Sequence, residues 1–244
     1  MNVKPDNMQT RLPAKNDSPR MFDRIAHRYD LLNRLLSMRR DVAWRRRLAD
    51  LLPDREDLTV LDVATGTADV LLTAVQRRQN ITHAIGIDPA GGMVRLGRKK
   101  TRVAGLNGLI QFVIGDARSL PFADHCFDAA TIAFGIRNVP DPAAGLREMH
   151  RVLRTGGKAL VLEFSLPHNR LLRTIYLFYF RHVLPRLGAV ISGDSGAYRY
   201  LNRTVEDFPS GSVFCELMER AGFTDVNDKS LSFGIASIYT GTKK

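Results

Sequence analysis

The stretch that most constrains this chain is residues 59–69, TVLDVATGTAD. Thr59 to Val63 is a short β-branched, apolar run that stops at the small residues Ala64, Thr65, Gly66, Thr67 and Ala68. A helical pattern follows, with Val70, Leu71, Ala74 and Val75 on one face. Strand, tight turn and helix in that order aim backbone N–H groups at any polar ligand approaching the turn. The next apolar run, Ala84 to Ile87, ends at Asp88. An acid at the end of the second strand, about 20 residues past the loop glycine, suits the hydroxyls of a ribose.

Only Gly66 remains of the three glycines that a dinucleotide loop uses, and Asp69 takes the third position, where it would meet a pyrophosphate. NAD, FAD and NADP are therefore disfavoured. A ligand with ribose and base but no phosphate, S-adenosylmethionine, fits better. The alternative for this stretch alone is a strand–turn–helix that binds nothing.

Past the loop, the pattern alternates. Strands are expected near 59–63, 83–87, 110–114, 127–133 and 157–163, with helices near 68–79, 91–101 and 141–153. That alternation predicts a parallel sheet with helices on both faces. A helix near 211–221 and an antiparallel strand pair near 223–228 and 233–240 close the chain. Before the core, residues 1–20 read as a disordered arm and 21–52 as helical. Residues 164–210 interrupt the alternation as an insertion. Within it Arg170, Arg173 and Arg181 share a stripe, while Leu172, Ile175, Tyr176 and Tyr179 form a wide apolar arc. This suits a membrane surface or a lid over a greasy substrate, as well as ordinary core packing.

The net charge is +11, and six arginines lie between Arg34 and Arg47. An anionic partner follows, either nucleic acid or an acidic membrane surface. The first twenty residues carry no apolar core of a secretory signal, and no apolar run reaches the length of a membrane span. Cys126 and Cys215 are far apart, and the histidines are scattered, so no metal site is expected.

Two further features mark the expected crevice. Asp116 and Ala117 follow the third strand, where a carboxylate can accept from an adenine amino group. The fourth strand runs out through Ala133 into Phe134, Gly135, Ile136, Arg137 and Asn138. Arginine side chains stay protonated, so Arg137 is a poor base but a good stabiliser of an oxyanion; a plain ion pair is the alternative. The Asn/Asp-Pro-Pro-aromatic tetrapeptide of amino-directed nucleic-acid methyltransferases and the Pro-Cys pair of cytosine-C5 enzymes are both missing here.

With these residues assembled, the chain over 21–244 resembles the ubiquinone/menaquinone biosynthesis C-methyltransferases. The resemblance rests on MFDRIAHRYD at 21–30, LDVATGT at 61–67, FGIRNV at 134–139, LEFS at 162–165 and GDSGAYRYL at 193–201. It implies the class I S-adenosylmethionine-dependent methyltransferase fold, α/β, with strand order 3-2-1-4-5-7-6 and the seventh strand antiparallel. It implies cofactor contacts at Asp62 and Gly66 of the loop and at Thr67, Asp88, Asp116, Ala117 and Ala133. At Ala133 the serine hydroxyl common in the family is absent. It implies catalysis by Arg137, with Asn138 and Tyr29 orienting a hydroxyl or a water.

The implied substrate is a polyprenylated hydroquinone, with demethylmenaquinol preferred over a methoxy-polyprenyl-benzoquinol. The implied place is the cytoplasm, at the inner face of an anionic membrane, without nucleic acid; a homodimer or a quinone-biosynthesis complex is compatible with it. The rival readings are an RNA methyltransferase, drawn from the charge, and a non-catalytic cofactor-binding protein.

Overall fold

The computed structural model describes residues 15, 18–167, 169–183, 186 and 195–244. Most of the expected arm, 1–14 with 16 and 17, lies outside them, as does the Gly193-Asp194 pair. Helix α1 (Ser18–Leu36) begins inside the expected arm. A break at residues 37–40 separates it from α2 (Asp41–Asp50), so the 21–52 region is two helices. The core then runs β1 (Leu58–Val63), α3 (Asp69–Arg77), β2 (Ile81–Asp88), α4 (Gly91–Val103), β3 (Ile110–Ile114) and β4 (Phe127–Ala133). A single helical turn at Ile136–Asn138 leads to α5 (Pro142–Val152) and β5 (Leu153–Phe164). The insertion carries α6 (Arg170–Phe178), a π-helical turn (Tyr179–Val183) and α7 (Ser195–Asp207). The chain closes with α8 (Ser212–Arg220), β6 (Thr224–Leu231) and β7 (Ala236–Thr242).

The sheet order is β3-β2-β1-β4-β5-β7-β6, with β7 antiparallel to both neighbours and the other pairs parallel. This is the expected topology. Strand alternation sends Val60, Ala84, Ala129, Leu160 and Leu162 to one face, against α2, α3 and the insertion. Leu61, Val63, Ile87, Ala130, Ile132 and Val161 go to the other face, against α5 and α8. Asp141 caps α5 by accepting from the Ala144 N–H at 3.0 Å, with Pro142 in the first turn.

β5 starts earlier than expected, at Leu153. The anticipated Gly156-Gly157 turn is absorbed as an irregularity between the Phe127–Leu153 and Ala129–Lys158 pairs, with Gly156 at φ +78°. Among the described residues no helix is long and apolar enough to cross a membrane.

Candidate active site

The carboxyl ends of β1, β2, β3 and β4 open on one crevice. Parallel strands whose order reverses beside β1 leave a cleft at this edge. The loop after β1 is tight: Ala64, Gly66 and Ala68 all have left-handed backbones. For Ala64 and Ala68 that is strain, held in place by the surrounding hydrogen bonds. Gly66 gives its N–H to Asp88 Oδ2 at 2.8 Å, and Ala90 gives its N–H to Asp88 Oδ1 at 2.8 Å. Asp88 thus joins the ends of β1 and β2 and still has lone pairs facing the crevice. Gly135 closes the packing above Ala64, since a Cβ there would lie 2.7 Å from the Ala64 methyl.

The crevice takes Gly66, Asp88, Asp116, Ala117 and Asn138 of the expected site residues. The Asp116 carboxylate is half-exposed and gripped by Arg118 at 2.6 Å, which holds it below the usual carboxylate range. A second, smaller pocket lies across Gly66. It takes Thr67 and Ala133 and is lined by groups of both signs, including Asp30, Arg45 and Asp69.

Asp62 and Arg137 line neither pocket. Asp62 is buried under the loop, accepting from Thr131 Oγ1 at 2.5 Å and Thr65 Oγ1 at 2.7 Å. Its place is to hold the loop from below rather than to face the crevice. Tyr29 is on α1, and its side chain lies outside the described residues.

Arg137 sits behind the crevice wall, with a fully buried side chain. Its Nη1 donates to Glu163 Oε1 at 2.5 Å and to the Phe134 carbonyl at 2.6 Å. Its Cζ lies 5.4 Å from the centre of the Phe164 ring. Burial pushes the Glu163 carboxyl up, while the Arg137 charge and the Phe164 N–H pull it down. Nε and Nη2 of Arg137 have no hydrogen-bond partner among the described residues. Phe134 has φ +56°, an uncommon backbone for a bulky residue, and its carbonyl also accepts from Asn138 Nδ2 at 3.3 Å.

Sequence reasoning found no role for Glu163. The signal was available: an acid at the end of apolar β5, one strand over from an arginine at the end of β4. It also gave no role to α1 as a wall. Ser18, Pro19 and Phe22 line the crevice, and Asp23 accepts from the Gly92 N–H at 2.7 Å at the start of α4. Asp30 accepts from Thr67 Oγ1 at 2.7 Å and pairs with Lys100 at 2.5 Å; Lys100 also meets Asp69 at 2.6 Å.

Burial pushes Asp62 up to about 7 and Asp88 up to about 6. An unfolded aspartate titrates near 3.8. Between these values the folded chain holds a proton at Asp62 that the unfolded chain has released, so this carboxyl lowers stability as pH rises from about 4 to 7. Asp62→Asn removes that dependence. Its stability relative to wild type should improve by about 2–3 kcal/mol between pH 5 and pH 8, at about 1.4 kcal/mol per pH unit. Denaturant unfolding at both pH values measures it. Parallel losses in the two proteins would mean that Asp62 is not a buried titrating group.

The ubiE/COQ5 methyltransferase family matches residues 12–243. A ubiquinone/menaquinone biosynthesis C-methyltransferase UbiE of Geobacter sulfurreducens is 47% identical over 234 residues, covering 96% of this chain and 91% of that protein. A demethylmenaquinone methyltransferase of Thermus thermophilus is 45% identical, covering 91% and 100%. One of Bacteroides fragilis is 41% identical, covering 95% and 96%.

Among solved structures, a SAM-dependent methyltransferase from Aquifex aeolicus superposes with TM-score 0.59 at 16% identity, covering 82% of this chain and 89% of that one. The [4+2]-cyclase SpnF superposes with TM-score 0.64 at 18% identity, covering 95% and 97%. A cyclase on the same fold means that these distant likenesses carry the fold and not the reaction. The match along nearly the whole sequence, together with the sheet order and the β1 loop, places the chain in the ubiE/COQ5 methyltransferase family.

Proposed function

We infer that this chain is an S-adenosylmethionine-dependent C-methyltransferase that methylates a polyprenylated hydroquinone in respiratory quinone biosynthesis. Demethylmenaquinol is the preferred acceptor over the methoxy-benzoquinol. The observation that carries the reading is Arg137: a buried guanidinium, adjacent in sequence to a crevice residue, whose Nε and Nη2 have no hydrogen-bond partner among the described residues. Its place among relatives named for this chemistry supplies the substrate class.

The crevice suits S-adenosylmethionine. Asp88 can accept from ribose hydroxyls, Phe22 and Met93 offer apolar contact for a base, and Asp116 is placed to meet an amino group. Gly66 lets the backbone come close, Thr67 offers a hydroxyl, and Arg45 and Asp69 offer charges of both signs to an amino-acid zwitterion. Bound there, the cofactor supplies an electrophilic methyl group on a sulfonium centre.

This chain's own residues must then make the ring carbon nucleophilic and keep water out. The ring carbon gains electron density as the neighbouring hydroxyl gives its proton to solvent, and after the methyl group has moved, the same carbon releases its hydrogen as a proton to restore the aromatic ring. From behind the crevice wall the Arg137 charge favours the oxyanion, and burial against Phe134 and Phe164 raises the worth of that charge. Glu163 fixes the guanidinium so that Nη1 is spent inside the protein, while Nε and Nη2 stay unpaired among the described residues. Asn138, on the crevice wall, is placed to orient the hydroxyl. The test is formation of methylated product from reduced naphthoquinone and benzoquinone precursors, read by mass spectrometry.

The substrate tail and the positive charge give α6 a use. Leu171, Leu172, Ile175 and Phe178 are exposed on it, beside Arg170 and Arg173. Arg181 is paired with Glu206 and adds less charge than its sequence position promised. Contact with an anionic membrane surface follows, at about 1 kcal/mol per basic residue near the headgroups. Ile175→Glu with Phe178→Glu should reduce co-sedimentation with anionic vesicles at least about 10-fold, since each burial is worth about 1.5–3 kcal/mol. Equal sedimentation of variant and wild type would remove α6 from the contact.

A further inference from the structure

Several buried polar atoms at the insertion have no hydrogen-bond partner among the described residues: Asn138 Oδ1, Asn202 Oδ1 and the Tyr176 hydroxyl, besides Nε and Nη2 of Arg137. Buried polar groups are nearly always satisfied, so a cluster of orphans marks a place where something else completes the set. The cluster is local. α7 packs on the Ile136–Asn138 turn, Tyr176 lies 5.1 Å from the Phe180 ring, and Asn202 Nδ2 donates to the Phe180 carbonyl. Tyr176 and Tyr200 both feel the Arg137 charge, and Tyr200 lies beside Ser18.

The two asparagines say what is missing. Each has its NH₂ turned to a backbone carbonyl, Asn138 to Phe134 and Asn202 to Phe180. That fixes the amide orientation and leaves both Oδ1 atoms as pure acceptors in the interior. A pure acceptor is satisfied only by a donor. A hydroquinone carries two O–H donors, whereas the oxidised quinone carries only carbonyl acceptors.

We propose that Asn202, with Asn138, is a specificity determinant that selects the reduced ring by accepting hydrogen bonds from its hydroxyls. The proposal rests on the hydroquinone reading and adds to it a residue of the insertion that discriminates redox state. Tyr176 and Tyr200 can donate or accept and are compatible with either form, so they contribute affinity and not selection. The quinone would leave two buried acceptors facing carbonyl oxygens, and losing a donor at a buried acceptor is the costly direction.

The test is anaerobic binding of 1,4-naphthoquinone and of its dithionite-reduced hydroquinone to the full chain, in the presence of S-adenosylhomocysteine. Wild type should bind the hydroquinone about 10- to 100-fold more tightly. In Asn202→Leu the preference should fall to within about 3-fold by weakening of hydroquinone binding, with unchanged S-adenosylhomocysteine affinity. Asn202→Ala, smaller and lacking the same acceptor, is the second variant should Asn202→Leu fail to fold, and it should show the same loss of preference. Equal affinity of wild type for the two forms overturns the proposal and leaves the hydroquinone reading standing. A preserved preference in folded Asn202→Leu overturns the part assigned to Asn202. Binding of neither form, with S-adenosylhomocysteine still bound, overturns the proposal and the hydroquinone reading together.

Discussion

Arg137→Ala should lower single-turnover methyl transfer roughly 10²–10³-fold, as loss of one oxyanion donor does. It should also cost about 3–5 kcal/mol of stability, because Glu163 is left as an unpaired buried carboxylate. That is a large part of the total stability of a domain, about 5–15 kcal/mol. The alanine variant alone therefore cannot separate chemistry from folding. Arg137→Lys can. Lysine keeps a cation beside Glu163 but loses the planar fork and its Nε and Nη2, unpaired among the described residues. It should unfold within about 2 kcal/mol of wild type and still lose about 10²-fold in turnover, with cofactor affinity little changed. Raising the pH should recover part of that loss, since hydroxide helps to form the phenolate. A lysine variant with normal turnover would reduce Arg137 to a structural ion pair.

The second large effect is at Asp88. Asp88→Ala removes the acceptor proposed for the ribose and also the two anchors at Gly66 and Ala90. Cofactor affinity should fall by at least about 1.5–3 kcal/mol, the worth of a hydrogen bond to a charged group. Asp88→Asn keeps one acceptor for a backbone N–H and should fall between alanine and wild type. Since burial raises Asp88 to about 6, wild-type affinity should also weaken as pH drops through 6, while the alanine variant stays flat across that range. Calorimetry at pH 8 and pH 5 reads both effects. Unchanged affinity in Asp88→Ala would remove the crevice as the cofactor site.

The fold was legible because its signals are local and periodic. The β1 loop, the strand–helix alternation and the closing antiparallel pair each follow from spacing and small residues within a short window. That Asp88, Asp116 and Asn138 line the crevice was legible for the same reason, since residues at or just past the strand ends of a parallel sheet face one crevice. The directions of side chains at those ends were not legible. Asp62 and Asp88 both belong to strand ends, yet one points under the loop at Thr65 and the other joins the loop to β2. Arg137 leaves the same strand as Ala133, but a buried acid on β5 draws it behind the wall. The α1 wall escaped because its contacts with α4 and Thr67 span distant parts of the chain. The break at residues 37–40 carries Met38 and Arg39 with left-handed backbones and neither Gly nor Pro, so no turn residue announced it.

The central claim is methyl transfer to the carbon of a reduced, dihydroxylated ring. The most direct measurement supplies S-adenosylmethionine labelled on the methyl group to the purified full chain, anaerobically. The acceptors are reduced demethylmenaquinone, the same compound oxidised, a reduced methoxy-polyprenyl-benzoquinone and total RNA. The label should enter the reduced naphthoquinone fastest, on carbon and stable to acid, with little in the oxidised compound and none in RNA. Label in RNA with none in either reduced ring, or cofactor bound with no transfer to any acceptor, would contradict the account.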